Sequence, residues 1–235
     1  LEKNKKNQRK IPMANKKFAG EEKVSLSFWS GEREKKMIAQ ILPLIPSWIK
    51  GCHFTLLSLP ISLGVVFSYY LAEGNRNFLW VASLFIIAQW ISDSLDGALG
   101  RFRDEGHCLW GFYMDHFFDF LFLVSIVLGY SFLFNGPHKV LVLLFIPVLA
   151  SFMLSSVLSF GITRTFNVVY FGVGPTDLRF MTVVLNILIF YFGVDFLKGG
   201  IIWGLVVVVF FLIIFVYRSQ REILELEKKS YNKNC

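Results

Sequence analysis

The chain has 235 residues, of which 54% are hydrophobic, 17% aromatic and only 17% charged, with a net charge of +7 and a mean hydropathy of +0.54. Soluble chains carry roughly 25% charged residues, so the composition excludes a soluble domain, a disordered chain and a nucleic-acid-binding module. It is that of an integral membrane protein.

Residues 1–30 read as a basic, flexible tail. The chain opens at Leu1, and Met13, heading the segment MANKKFAGEEK, is read as the start of translation, with residues 1–12 upstream of it. Over 31–52 an early charged turn is followed by apolar residues at 37, 38, 41, 42, 44, 45 and 48. That mixture predicts an interfacial amphipathic helix kinked near Pro43 and Pro46, with Trp48 at headgroup level.

A bilayer core about 30 Å thick needs ~20 apolar residues at 1.5 Å each. Six stretches meet that requirement, at about 54–72, 78–100, 109–134, 139–160, 178–194 and 200–217. The fold class is therefore all-α: a polytopic domain of six transmembrane helices over 53–218, followed by a cytoplasmic tail at 219–235. Short connections at 73–77, 101–107, 135–138 and 195–199 carry Gly, Asn, Pro or Asp, as turns do. The longer connection at 162–176 is read as re-entrant or lying along the surface. Cys52, Cys108 and Cys235 have neither metal nor disulfide spacing.

The distribution of charge sets the orientation. Twelve of the 24 lysines and arginines lie in positions 1–52 and five in 218–233. With six spans, both termini share a side with Arg101, Arg103, Arg164 and Arg179, giving that side 21 basic residues. The other side has three, Arg76, Lys139 and Lys198. This positive-inside bias places both termini in the cytoplasm and suits anionic lipid rather than nucleic acid.

Ionisable groups inside a span cost ~2.5–3.5 kcal/mol each on insertion scales, so each needs a reason. Away from the span edges those present are carboxylates: Asp93 and Asp96 late in span two, Asp115 and Asp119 early in span three. No lysine or arginine lies deeper in these spans to pair with them. Like charges raise one another's pKa, so either the four are protonated or cations neutralise them. Spacing favours cations. Asp93, Asp96, Gly97, Gly100 and Arg101 share one helical stripe, and Gly111, Asp115 and Asp119 share another. A short turn joins the two helices, so the stripes are expected to face each other as antiparallel neighbours near the cytoplasm. The glycines then allow close helix approach or ligand access. Four convergent carboxylates suit two hard divalent ions, Mg²⁺ or Mn²⁺, and paired ions suit a phosphoryl displacement.

The run Asp93-Ser-Leu-Asp96-Gly97-Ala-Leu-Gly100-Arg101, a gap of nine, then Gly111-Phe-Tyr-Met-Asp115-His-Phe-Phe-Asp119 resembles the signature of the CDP-alcohol phosphatidyltransferases, D-x2-D-G-x2-A-R…G-x3-D-x3-D. Seven of the eight fixed positions match, and Gly100 stands where alanine is usual. The resemblance implies a six-helix, often dimeric enzyme with an N-terminal interfacial helix. It implies transfer of a phosphatidyl group from CDP-diacylglycerol to a small polar alcohol with release of CMP. By the same likeness, Asp93, Asp96, Asp115 and Asp119 hold two divalent cations, and Asp119 also deprotonates the attacking hydroxyl. Gly97, Arg101 and Gly111 hold the CDP portion. HFTLLS (53–58) is similar to the family's opening of the first span, and only Thr55 carries over from it, also to the CDP site.

Around this motif the other polar residues read more plainly. His116 is turned from the metals and satisfied by a neighbour, His53 and His107 are solvated at boundaries, and Arg103, Asp104 and Glu105 form a solvated turn. Arg179 is different, because a cation in the first turn of span five opposes the helix dipole and so fits a residue held for a ligand. Arg179, with Arg164, is expected to receive the acceptor alcohol or a phosphate on it. Two other readings stand beside this one: CDP-choline or CDP-ethanolamine transfer to diacylglycerol, and an ion or proton carrier. A carrier is expected to place its acids near the midplane, whereas these cluster at one end.

Overall fold

The computed structural model describes residues 21–23, 31–103, 108–163, 165–167 and 175–233. The described chain is helical apart from two three-residue strands, β1 (Glu21–Lys23) and β2 (Thr165–Asn167), which pair in parallel with Glu21 opposite Thr165. Part of the N-terminal tail thus meets the connection that precedes the fifth predicted span.

Helix α1 (Gly31–Ile41) passes into a 3-10 turn at Leu42–Leu44, with Pro43 at its start. Next come α2 (Gly51–Gly74), α3 (Phe78–Arg103) and α4 (Cys108–Phe132). The fourth predicted span is divided into α5 (Pro137–Leu143) and α6 (Phe145–Thr163). Pro147 accounts for the break, because its ring collides with the carbonyl four residues back, at Leu143. Then follow α7 (Pro175–Phe192), the single turn α8 (Asp195–Lys198) and the long α9 (Ile201–Lys233).

Among the described residues, five of these helical stretches are long and apolar enough to cross a membrane: α2, α3, α4 from Trp110, α5 with α6, and α9 as far as Lys228. The fifth predicted span does not join them. Helix α7 has 18 residues, about 27 Å at 1.5 Å each, and carries Asp177, Arg179 and Asn186 along its length.

Helix α2 is central. It packs along both α3 and α4, while α3 and α4 barely meet among the described residues, and α7 packs on α3. The expectation that the two acidic helices are direct neighbours is therefore corrected: α2 lies between them for most of their length. Its buried face explains why. Gly51, Thr55, Ser58, Ser62, Val65, Ser68 and Ala72 form a stripe of small side chains, which lets two helices approach it closely. Ser62 and Ser68 return their hydroxyls to the Ser58 and Gly64 carbonyls at 2.8 and 2.6 Å, so the stripe buries no orphaned serine donor there.

Deeper in the bundle a neutral polar network ties four helices together. Asn186 Oδ1 on α7 accepts from the hydroxyls of Tyr69 on α2 and Tyr130 on α4, both at 2.8 Å. Asn186 Nδ2 donates to Ser83 Oγ on α3 at 3.0 Å. Tyr69 is fully buried, and its ring lies where a Cβ on Gly129 would stand.

Candidate active site

At the C-terminal end of α3 and the start of α4 the two helices contribute their acids to one space. Carboxylate oxygens of Asp93, Asp96 and Asp115 all lie within 4.8 Å of one another. Helical spacing of three, on α3, presents Asp93 and Asp96 to the same side, and α4 brings Asp115 across the gap that α2 holds open. Asp119 follows one turn along α4. The acid side chains keep 22–35% exposure at Asp93, Asp119 and Asp115, whereas Arg179 keeps 7%. The carboxylates are thus partly open to solvent, and the arginine lies behind them.

Arg179 overturns the expectation that these acids have no side-chain counter-charge. One guanidinium nitrogen donates to Asp93 Oδ2 at 2.5 Å, and the other donates to Asp119 Oδ1 at 2.7 Å. The group also lies 5.7 Å from the centre of the Phe122 ring, within cation–π range. Arg179 sits on another helix, 86 residues from Asp93 and 60 from Asp119, so no local spacing could announce the contact. Arg164, named with it, lies outside the described residues.

Thr55 Oγ1 donates to Asp96 Oδ2 at 3.1 Å and to the Gly51 carbonyl at 3.3 Å. The other oxygen of Asp96 accepts the Gly97 amide. Thr55 thus touches an acid directly. The glycines divide by environment. A Cβ on Gly97 would lie 3.3 Å from the Arg101 guanidinium, which folds back one turn over it. On Gly100 and Gly111 a Cβ would meet nothing within 4 Å. Among the described residues those two bring no side chain of a neighbouring helix into contact.

Arg103 is another correction. Read as part of a solvated turn, it instead donates to the carbonyls of Ile45 at 2.6 Å, Pro46 at 3.2 Å and Ile49. It fastens the elbow between the 3-10 turn and α2 to the end of α3. His53 Nδ1 accepts the Lys50 amide at 2.9 Å, closing the start of α2. His116 Nδ1 is 2.8 Å from the Phe112 carbonyl and 3.8 Å from Asp115 Oδ2. His107, Asp104 and Glu105 lie outside the described residues.

Three carboxylates converging within one coordination distance form a hard, all-oxygen donor set, the chemistry that Mg²⁺ and Mn²⁺ select. The residues fit a divalent ion at Asp93, Asp96 and Asp115. Asp119 stands beside this trio, engaged by Arg179.

The model of the family described as CDP-alcohol phosphatidyltransferase matches residues 50–216, more than two-thirds of the chain. In the parallel comparisons no curated protein and no solved structure matches.

Proposed function

This chain belongs to the CDP-alcohol phosphatidyltransferase family, which makes it a membrane phosphotransferase of phospholipid synthesis, and we propose that it transfers a phosphatidyl group from CDP-diacylglycerol to a small polar alcohol with release of CMP. The observation that carries this reading is the convergence of Asp93, Asp96 and Asp115, with Asp119 one turn away. Intramembrane acids are costly unless they bind something, and a trio of carboxylates opposite open space suits a cation that grips a diphosphate.

The reaction balances as a displacement at phosphorus. The acceptor hydroxyl oxygen attacks the phosphorus that bears diacylglycerol, and the bond from that phosphorus to the bridging oxygen breaks. CMP leaves with the bonding pair. The hydroxyl proton passes to the Asp119 carboxylate, and a positioned base of this kind typically contributes 10²–10⁴-fold. Two divalent ions, Mg²⁺ or Mn²⁺, when bound at the aspartates, offset charge on the diphosphate and on departing CMP. Arg101, Gly97, Gly111 and Thr55 hold the CDP portion. The Arg101 fork suits phosphate because it stays charged and donates in a plane.

Arg179, with Arg164, receives the acceptor or a phosphate on it, and a guanidinium beside Asp119 draws such a group toward the base. If so, Arg179→Ala loses transfer while CDP-lipid binding is kept, and unchanged acceptor kinetics refute the assignment. We take α7 as the fifth of six spans and α1 as an interfacial helix. Both termini and the active site then face the cytoplasm, the side that carries 21 of the 24 basic residues, and the enzyme works as a homodimer.

The test is a radiolabelled CDP-diacylglycerol assay in membranes, run with a panel of alcohols, with Mg²⁺ or Mn²⁺, and with chelator. CMP release with one acceptor, abolished by chelator, is the expected result. Release only from CDP-choline or CDP-ethanolamine with diacylglycerol would move the protein to the amino-alcohol branch. No release, with cation flux in vesicles, would make it a carrier.

A further inference from the structure

The carboxylate cluster already contains one cation of its own. Arg179 spans Asp93 and Asp119 with separate nitrogens, and its own surface is almost wholly withdrawn from solvent. Asp93 is shared between this bridge and the trio formed with Asp96 and Asp115. Asp119 is claimed by the bridge alone.

We infer that Arg179 fills the second cation position of the cluster: one divalent ion binds at Asp93, Asp96 and Asp115 beside the guanidinium, and a second binds only when Arg179 releases Asp93 and Asp119. The inference rests on the divalent-ion reading of these carboxylates and says how many ions they take, and when.

Charge supports it. Four ionised carboxylates, one guanidinium and one divalent ion leave a single negative charge. A second ion with the guanidinium still in place would reverse the sign in a site of low dielectric, where unbalanced charge is expensive. A substrate diphosphate supplies the missing negative charge, and Mg²⁺ sites commonly complete their shell with substrate phosphates. The second ion therefore arrives with the substrate, and that arrival frees Arg179.

The scaffold supports it too. Asn186 lies seven residues beyond Arg179, two turns along the same face of α7. Its three hydrogen bonds to Tyr69, Tyr130 and Ser83 fix the rotation of that helix. The guanidinium is thus delivered to the acids from an anchored stem. Its charge-assisted bonds are of the strong kind, so exchanging them for an ion weakens that ion's apparent affinity.

The experiment is a Mn²⁺ titration of the full chain in nanodiscs without substrate, followed by electron paramagnetic resonance, which reads binding independently of activity. Wild type is expected to take one tight equivalent, and a second on adding CDP. Arg179→Gln is expected to take two without CDP, the second at least ~tenfold tighter than in wild type. Arg179→Lys keeps the charge but loses the reach and the two-nitrogen fork that spans Asp93 and Asp119, and lies between; if the Gln variant fails to fold, the Lys variant carries the test. Asp119→Asn should leave the first equivalent within about twofold, because Asp119 stands outside the trio. Two equally tight equivalents in wild type without CDP, or a substitution at Arg179 that leaves the isotherm unchanged, overturn the inference. No Mn²⁺ uptake by wild type overturns the divalent-ion reading itself, a separate failure.

Discussion

The same four helices build two polar regions of opposite character. At one end, Thr55 of α2, Asp93 and Asp96 of α3, Asp115 and Asp119 of α4 and Arg179 of α7 meet. Further in, roughly 10–20 Å along the helices by their rise, Tyr69, Ser83, Tyr130 and Asn186 come from those same four helices. The inner set is closed. Both tyrosine hydroxyls and the asparagine amide find partners, and Ser83 passes its own hydroxyl to the Leu79 carbonyl at 2.8 Å. The outer set is open, with more negative charge than its arginine can offset. A matched neutral network holds helices together, whereas a surplus of charge is kept for a ligand.

The sharpest way to break that contrast is to remove charge from the open set. Asp96→Asn or Asp115→Asn is expected to lower transfer at least ~100-fold, while the thermal midpoint stays level or rises because repulsion is relieved. A CMP-release assay beside a melt in detergent checks both, and a large fall in the midpoint would make these acids structural. The inner set should behave in reverse. Asn186→Leu takes the acceptor from the buried Tyr69 hydroxyl and leaves Tyr130 the Thr182 carbonyl at 3.2 Å, and is expected to cost about 1–2 kcal/mol of stability, at the upper end of measured interhelical hydrogen bonds in membranes. Denaturation in mixed micelles reads it, and no loss would show that the network contributes nothing.

Smaller effects sharpen the boundary between the regions. Gly100→Ala meets open space and improves helix propensity, so it should stabilise by up to ~1 kcal/mol with transfer retained. Gly129→Ala would place its Cβ against the Tyr69 ring and should lower the midpoint; equal responses at the two glycines would refute the packing difference. The smallest effect belongs at the exposed rim. A hydrogen bond from Lys198 at 2.6 Å holds Asp195 below the usual carboxylate range. A lowered carboxyl pKa adds stability above its unfolded value and loses it as pH falls. Because both groups are solvent-exposed, Lys198→Ala should lower the midpoint only slightly at neutral pH, and the midpoint-versus-pH profiles of the two proteins should converge on the acid side, where Asp195 is protonated.

How much could be read from the chain differs between these regions for a physical reason. The acids of the open set announce themselves because charge inside an apolar run is costly, and intervals of three and four residues place them on one helical face. Tyr69, Ser83, Tyr130 and Asn186 carry no such mark: each is an ordinary residue in an apolar helix, and only their meeting makes a network. Arg179 drew notice for opposing a helix dipole, yet its partners were hidden, since they lie 86 and 60 residues away on other helices. Arg103 looked like one more charge in a turn until the fold brought the Ile45–Ile49 carbonyls beneath it.

Sequence alone determined that this chain lives in a membrane, where its apolar helices run, and that four aspartates share two helical stripes, because hydropathy and helical periodicity are local properties. Tertiary structure decided that α2 separates the acidic helices, that α7 is a short polar-studded helix carrying an arginine to the acids, and that Pro147 divides the fourth apolar stretch. Those outcomes depend on which faces small side chains allow to approach and how each helix is rotated when they do, and rotation is set by contacts between residues far apart along the chain.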